Sequence, residues 1–183
     1  MSELDAAASG WTLPRKFVDL LGRAPDSPAL HSMTGDTGWN VWTVQDYADQ
    51  VARAAAGLTD AGVSAGERIL LMMRNRPDFH WFDTAAQFIR VTPVSIYNSS
   101  SSEEISFLAG HAEARVAIVE DSGVLDRILA VRHELPLLER IYVIEPPDGD
   151  LPPGVMPASD LLEQGSADLA QLAAATVRRM FLI

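Results

Sequence analysis

Residues 62–98 have the sequence GVSAGERILLMMRNRPDFHWFDTAAQFIRVTPVSIYN, and this stretch decides the fold of the chain. Residues 69–73 form a continuous apolar run with the length of a strand that is buried on both faces, and residues 91–97 are predicted to be a second strand. Between them, Pro77 and Asp78 open a helix whose apolar residues lie along one side. The order of strand, helix and strand predicts one parallel β-α-β unit.

The same alternation of apolar runs and amphipathic stretches continues on both sides of this unit. Ser101 and Glu104 have the spacing of a capping box, which marks the start of another helix. Strands that alternate with helices predict an α/β fold with a parallel sheet flanked by helices on both sides. The other predicted elements are a helix at 13–23, a hairpin at 29–42, a helix from Thr43 to Gly62, a helix from Ser101 to Gly110, strands at 115–119 and 141–144, and a helix that starts at Ser122.

The composition changes after residue 144. Residues 145–157, EPPDGDLPPGVMP, hold five prolines in thirteen residues and predict an irregular surface segment. A short helix is expected at residues 159–164, followed by an alanine-rich helix in SADLAQLAAAT. The last seven residues, VRRMFLI, match no preceding pattern.

The charge balance limits the partners that the chain can have. There are 14 basic and 25 acidic residues, a net charge of −11, which disfavours nucleic acid and anionic membrane surfaces as partners. The absence of cysteine excludes disulfides and thiolate metal sites. Residues 1–10 lack the apolar core of a secretory signal, and no uncharged apolar run approaches the ~20 residues that span a bilayer. We therefore expect a cytoplasmic protein without a transmembrane segment.

The histidines and the lysine give no sign of a reactive site. His31, His80, His111 and His133 are too scattered to have metal-ligand spacing, so each is interpreted as a surface or helix-edge residue. Lys16 is the only lysine among the 14 basic residues, so any chemistry that needs a lysine depends on it.

Serine and acidic residues at helix starts are explained by capping. No GxSxG motif is present, and Ser122–Gly123 stands where a helix begins. The acidic pairs Glu103–Glu104 and Glu120–Asp121 are also placed at helix starts, where the helix dipole favours negative charge. Paired acid–base catalysis is the weaker interpretation of both pairs.

Two segments superficially resemble phosphate-binding loops. Residues 34–38, TGDTG, are followed by Trp39 rather than by a lysine and a helix, so a hairpin turn is predicted. Residues 98–102 lie between a strand and a helix, where anions bind in doubly wound folds, but they lack glycine. Capping explains Ser101, and anion binding remains the alternative. Aromatic residues that are expected to pack in the core rather than line a pocket are Trp81, Phe82 and Phe88. The residues themselves therefore indicate no catalytic, cofactor-binding or metal-binding site.

Five segments follow one another in a distinctive order: Ala61–Gly62 at a helix end, GERILLMMRNRPDF, PVSIYNSSSSEE, HAEARVAIVED and SDLLEQGSADL. Together they resemble the N-terminal region of AMP-forming acyl-CoA synthetases, in the version that acts on long-chain fatty acids. The resemblance spans about residues 11–176. The chain departs from the pattern at Arg90, where the family usually has a glycine before the second strand, and a bulky charge there is expected to disturb the turn.

The resemblance implies a two-step reaction. A fatty carboxylate attacks the α-phosphate of ATP to give an acyl-adenylate, and the thiol of coenzyme A then displaces AMP. The family uses a Ser/Thr/Gly-rich phosphate loop ending in Pro-Lys-Gly, a glutamate for Mg²⁺, an aspartate for the ribose and a C-terminal lysine. None of these motifs occurs in the 183 residues, so no functional residue is carried over. ATP, Mg²⁺ and CoA are implied for the full-length family and not for this chain, and the resemblance leaves open whether the chain itself is an enzyme.

The resemblance also implies a plan of the chain and a partner. We expect a disordered N-terminus at residues 1–10, an N-terminal α/β subdomain at 11–145, a Pro/Gly-rich loop at 146–158, a helical lead-in to the catalytic core at 159–176, and an aberrant tail at 177–183. The tail is interpreted as an out-of-frame end that truncates the chain before the phosphate loop. The expected partner is the remainder of the ligase, encoded downstream. The alternative is a non-catalytic α/β interaction domain, or a split-enzyme half that complements a separate ligase core.

Overall fold

Strands and helices alternate along most of the chain. The computed structural model describes residues 11–35 and 37–176, and the predictions for residues 1–10 and 177–183 concern residues outside this part. The strands are β1 (Pro28–Thr34), β2 (Gly38–Thr43), β3 (Arg68–Met72), β4 (Thr92–Ser95), β5 (Val116–Val119), β6 (Arg140–Val143) and β7 (Val155–Pro157). The helices are α1 (Leu13–Arg23), α2 (Val44–Asp60), α3 (Pro77–Phe88), α4 (Ser102–Ala112), α5 (Ser122–Ala130), α6 (Ser159–Glu163) and α7 (Leu169–Ala175), with a 3₁₀ turn at Arg132–Glu134.

A parallel sheet of five strands forms the centre of the fold. Its strand order is β4-β3-β5-β6-β7, and every neighbouring pair is parallel. The predicted β-α-β unit is confirmed, since β3 and β4 lie side by side with Leu70 opposite Val94. On its other side β3 pairs with β5, with Leu70 opposite Ala117. The chain therefore turns to one side of β3 first and to the other side afterwards, which creates a topological switch point between β3 and β5.

The inner strands of the sheet are buried on both faces, as the continuous apolar run of β3 predicts, whereas the edge strand β4 is partly exposed. Side chains of a strand alternate between faces, and alternate residues of β3 enter two separate apolar cores. Ile69 and Leu71 belong to the core that includes Phe82 of α3. Leu70 and Met72 belong to the core that includes Ile105 of α4. The prediction of helices on both sides of a parallel sheet is confirmed.

A two-stranded hairpin is attached to this layer. Strands β1 and β2 are antiparallel, and Thr34 pairs with Gly38 across the turn. This pairing confirms the predicted hairpin, and residue 36 of the TGDTG segment lies outside the described residues. The indole rings of Trp42 and Trp81 meet edge to face with their centroids 5.1 Å apart, which ties β2 to α3.

Helix starts follow the predicted chemistry with one exception. At α4 the amide of Glu104 donates to the Ser101 hydroxyl at 3.2 Å, and the amide of Ser101 donates to the Glu104 carboxylate at 2.8 Å, which is the predicted capping box. At α5 the capping residue is Asp121, which accepts from the amide of Val124 at 3.0 Å. Ser122 was expected to cap this helix and is instead its first residue.

Three predictions of local structure are wrong. Strand β4 was expected at residues 91–97 and spans only Thr92–Ser95. Helix α4 continues two residues beyond Gly110, because Glu113 adopts a left-handed conformation with φ of 51° and ends the helix in place of a glycine. Within the proline-rich stretch that was predicted to be irregular, Val155–Pro157 forms β7 at the edge of the sheet. An edge strand tolerates proline because one of its sides makes no ladder hydrogen bonds.

The turn from α3 into β4 carries the departure noted at Arg90. Arg90 has a φ of 61°, a left-handed conformation that glycine adopts without steric cost and other residues adopt rarely. Its carbonyl accepts a hydrogen bond from the amide of Gly66 at 2.9 Å, which joins this turn to the turn before β3. The turn keeps the backbone that a glycine would give, so the arginine strains the turn without rerouting it.

Candidate functional site

The candidate site lies at the carboxyl edge of the parallel sheet. In open α/β sheets, ligands bind outside the carboxyl ends of the strands at the switch point of the strand order. Here that point lies between β3 and β5, so the residues that follow these strands, 73–76 and 120–121, are the ones that the fold places there.

A buried carboxylate holds this edge together. The Glu120 side chain is only 2% exposed. Its carboxylate accepts hydrogen bonds from the amide and the Nε of Arg74, both at 2.7 Å, and from Nη1 of Arg76 at 3.3 Å. Burial raises the pKa of Glu120, but the hydrogen bonds from Arg74 and the charges of Arg74 and Arg76 outweigh it and lower the pKa overall. Glu120 is therefore a paired anion and not a poised general acid.

Arg76 extends the network to two further elements. Its Nε donates to Asp78 at the start of α3 at 2.8 Å, and its Nη1 donates to Glu145 after β6 at 2.7 Å. Burial lowers the pKa of Arg76, and the hydrogen bonds and charges of Glu145 and Asp78 raise it further than burial lowers it. One guanidinium thus connects the ends of β3, β5 and β6 with the start of α3.

This network corrects the interpretation of Glu120–Asp121 as a pair that serves the helix dipole. Asp121 caps α5, whereas Glu120 binds the arginines that follow β3. The signal that was missed is that charged residues directly follow three apolar runs, at Arg74, Glu120 and Glu145. Carboxyl ends of parallel strands meet at one edge, so such residues are brought together.

A cavity of about 510 Å³ adjoins the network at the ends of β3 and β4. Its apolar walls include Leu71, Phe79 and Ile96, and its polar groups include Asn75 and Asn98. The volume lies within the range of about 300–1,000 Å³ that small-molecule sites occupy. The arrangement can hold and orient a small ligand, but the neighbouring charges already have partners.

A cation that the sequence did not indicate, Arg127 of α5, contacts the turn at residues 98–102. Arg127 of α5 donates through Nη2 to the carbonyl of Asn98, and the Ser102 hydroxyl donates to the carbonyl of Arg127 at 3.1 Å. At the helix start itself, the Glu104 carboxylate accepts the amide of Ser101. The Glu104 carboxylate therefore already occupies the start of α4 as a capping group. Binding of an external anion at this turn remains the alternative interpretation.

Of the other residues considered from sequence, His80 reaches this edge, since its Nε2 lies 3.2 Å from Oδ1 of Asn75, and the rest lie apart from the edge or in the core. Phe82 and Phe88 are buried and Trp81 is nearly so, which confirms helix-core packing. Lys16 lies on α1, 3.7 Å from Asp19. The histidines contact separate partners: His31 meets Trp39, His80 meets Asn75, His111 stacks on Phe107, and His133 meets Glu134.

Two classes of feature are missing from residues 11–35 and 37–176. Their His, Asp and Glu side chains form no group of three or more that could hold a metal ion. Within the same residues, no helix combines the length and the apolar character that crossing a membrane requires.

Comparison with known proteins places these features in context. A family model described as AMP-binding enzyme matches residues 19–168. An uncharacterized protein of Mycobacterium tuberculosis is 39% identical over 106 residues, which are 58% of this chain and 58% of that protein. The long-chain-fatty-acid–CoA ligase heimdall of Drosophila melanogaster is 26% identical over 139 residues, which are 74% of this chain and 20% of the ligase.

A solved structure gives the same result for the fold. A long-chain-fatty-acid–CoA ligase from Archaeoglobus fulgidus superposes with a TM-score of 0.71 at 19% identity, over 85% of this chain and 30% of that one. The chain thus spans 58% of one relative and about a fifth of the ligase relative that it matches. At this identity the likeness establishes the fold and leaves the activity to be argued separately.

Proposed function

Because the chain belongs to the AMP-binding enzyme family, we propose that it is the N-terminal α/β part of an ATP-dependent long-chain fatty-acid–CoA ligase. The observation that carries the proposal is the match to the family model over residues 19–168, which covers both faces of the sheet. Relatives named long-chain-fatty-acid–CoA ligase match the same stretch with only about a fifth of their length. The chain corresponds to a scaffold within a much longer enzyme.

The proposed whole enzyme joins a fatty acid to coenzyme A. The fatty carboxylate attacks the α-phosphate of ATP and pyrophosphate leaves, and the CoA thiol then attacks the acyl-adenylate and AMP leaves. Negative charge that builds up during phosphoryl chemistry has to be met by positioned cations and backbone donors. ATP, Mg²⁺ and CoA would be held by the motifs of the longer enzyme, which the 183 residues do not contain.

The role of this chain in that enzyme is to supply a rigid sheet edge. Glu120 and Arg76 are engaged with neighbouring elements of the chain, so they hold strand ends in place and are not free to transfer protons. We infer that the 183 residues do not catalyse the reaction by themselves. We further place the enzyme in lipid metabolism and in the cytoplasm, as the fatty-acid substrate and the acidic, cysteine-free composition suggest.

The proposed plan of the chain follows from this role. Residues 11–145 would be the N-terminal α/β subdomain, 146–158 a Pro/Gly-rich connection, and 159–176 the lead-in to the catalytic core. The partner would be the remainder of the ligase, encoded downstream.

The second candidate is a non-catalytic interaction domain that uses the same scaffold. It is favoured by the lack of the catalytic motifs among the 183 residues and by the M. tuberculosis relative, which matches over 58% of its own length and is therefore also much shorter than the ligases. A fold alone does not decide between the two candidates.

Sequencing of the DNA downstream of the reading frame distinguishes them. The proposal predicts a coding stretch, in another frame or in the next gene, for a Thr-Ser-Gly-rich loop that ends in Pro-Lys-Gly. A tagged form of this chain should then co-purify with the product of that stretch. Downstream DNA without such a loop would overturn the proposal and leave the interaction domain.

A further inference from the structure

A second and larger cavity, of about 880 Å³, lies at the amino edge of the sheet, opposite the candidate site. It is bordered by the start of α1, by the turn before β3 and by the turn before β4, residues 90–93. Its volume falls in the upper part of the range that small-molecule sites occupy, about 300–1,000 Å³. Because the candidate site is formed by the opposite ends of the strands, this cavity does not belong to it.

The cavity has positive charge in an acidic chain. Of the described residues that line it, the charged ones are Arg68 and Arg90, and none is acidic, although the whole chain has a net charge of −11. Arg68 is already engaged, since its Nε donates to the carbonyl of Ala112 at 2.6 Å and its Nη2 donates to the Glu113 carboxylate at 2.7 Å.

Arg90 is the unengaged cation of this cavity. Its guanidinium has no hydrogen-bond or ion-pair partner in the part of the chain that the structure describes, and the residue is exposed. A guanidinium presents a planar fork of donors that matches the two oxygens of a carboxylate. Arg90 therefore offers a complete carboxylate-binding face at the wall of the cavity.

Apolar side chains form a large part of the remaining wall. Trp11 and Leu13 are 61% and 70% exposed, and Pro93 lines the same space. The remaining lining also includes the polar residues Thr12, Gln87, Thr92 and Thr176. The Lys16 ammonium lies 3.8 Å from the centroid of the Trp11 ring and holds the indole in place. A contiguous apolar surface beside a free cation suits a ligand that has an apolar chain and an anionic end.

The backbone of Arg90 adds an independent observation. This residue occupies a left-handed conformation with φ of 61°, at a position where the resemblance leads us to expect glycine. Strained residues that the surrounding structure maintains are concentrated at ligand-binding positions. A guanidinium at this position is retained at a steric cost that a glycine would avoid.

We propose that the amino-edge cavity binds a fatty-acid anion, with its carboxylate on Arg90 and its chain against Trp11, Leu13 and Pro93. This site is separate from the reaction proposed above and needs neither ATP nor the remainder of the ligase. Its occupancy would also cover the exposed indole of Trp11.

Titration of the full 183-residue chain with sodium dodecanoate, below its micelle concentration, tests the proposal. Isothermal calorimetry gives the stoichiometry, and tryptophan fluorescence compared with that of Trp11→Phe locates the site. We expect saturable binding of one dodecanoate per chain, binding of dodecanol at least tenfold weaker, and no competition by inorganic phosphate. Absence of one-to-one binding, equal affinity for dodecanol, or equal competition by phosphate would each overturn the proposal.

Matched arginine variants distinguish loss of the Arg90 charge from loss of folding as the cause of weaker binding. Arg90→Gln should weaken dodecanoate binding at least tenfold and leave dodecanol binding unchanged. Arg53→Gln is the control, because Arg53 is an exposed arginine on α2 outside the cavity lining, and it should bind like the parent chain. Arg90→Gly should also lose binding while it relieves the backbone strain, so its loss cannot be attributed to misfolding. Unchanged dodecanoate binding in Arg90→Gln and Arg90→Gly would contradict the assignment.

Discussion

The two edges of the same parallel sheet differ in how their charges are used. At the carboxyl edge, Glu120 is buried and Arg74 and Arg76 bind it. At the amino edge, Arg90 projects beside a larger cavity without a partner among the described residues. At the carboxyl edge the charged side chains pair with one another and hold the strand ends together. At the amino edge the guanidinium of Arg90 is available to a ligand. Position at the classical binding edge of a sheet therefore does not make a charge available to a ligand.

The largest expected effect comes from breaking the carboxyl-edge network. The double variant Arg74→Ala/Arg76→Ala removes both cations from a carboxylate that is only 2% exposed. We expect a loss of about 2–4 kcal/mol in the free energy of unfolding. This lies toward the lower end of the cost of breaking a buried ion pair, because water reaches Arg74. Urea denaturation measures the loss.

Arg53→Ala on the exposed surface of α2 is the control for that experiment. It should change the free energy of unfolding by no more than about 0.5 kcal/mol. A double variant at the carboxyl edge that is as stable as this control would show that the two edges do not differ in the way described.

A smaller effect, of opposite sign, is expected at the amino edge. Arg90→Gly removes the cost of a left-handed arginine, about 1–2 kcal/mol, and loses part of that gain to the greater freedom of glycine in the unfolded chain. We expect a net stabilisation of about 0.5–1 kcal/mol in thermal or urea unfolding. The same change in the middle of a helix, Arg53→Gly, should destabilise by about 1 kcal/mol. Destabilisation by both variants would mean that Arg90 is not strained.

The smallest effect concerns pH. The pKa of Glu120 is lowered in the folded chain, so its contribution to stability is complete above the unfolded value of about 4.3 and is lost as the pH falls through the folded value. The stability difference between the parent chain and Glu120→Gln should therefore shrink as the pH falls below about 4.3. Urea midpoints measured from pH 6 to pH 3 follow this difference.

Asp83→Asn tests the sign of that linkage. Burial raises the pKa of Asp83, so acidification should favour the parent chain relative to this variant, opposite to the trend for Glu120→Gln. Parallel pH trends for the two variants would contradict the assignment of Glu120 as a paired anion.

Local sequence patterns predicted the sheet and most helix ends, because strand burial and helix capping depend on residues that are close in sequence. The apolar run of β3 is buried on both faces, and the capping box of Ser101 and Glu104 forms as its spacing indicates. The departure at Arg90 was visible in the sequence for the same reason, since the turn before β4 requires a left-handed backbone conformation that glycine adopts readily. Each of these features is set within a few residues of sequence.

The features that sequence did not predict depend on contacts between distant residues. Glu120 meets Arg74 and Arg76 across 46 and 44 positions, and Glu145 meets Arg76 across 69. Strand β7 forms within a proline-rich stretch because β6 offers it a free edge. The charged residues that directly follow three apolar runs were visible in the sequence, but they indicate a site only once the strands are known to lie side by side.

Under the proposed function, this chain is a scaffold part of a fatty-acid–CoA ligase, and the groups that perform the reaction belong to the remainder of the ligase. Fatty-acid-dependent exchange of labelled pyrophosphate into ATP measures the first chemical step directly. We predict no exchange above the blank for the purified 183-residue chain, and exchange when it is co-expressed with the downstream-encoded remainder of the ligase. Exchange by the 183-residue chain alone would contradict the claim.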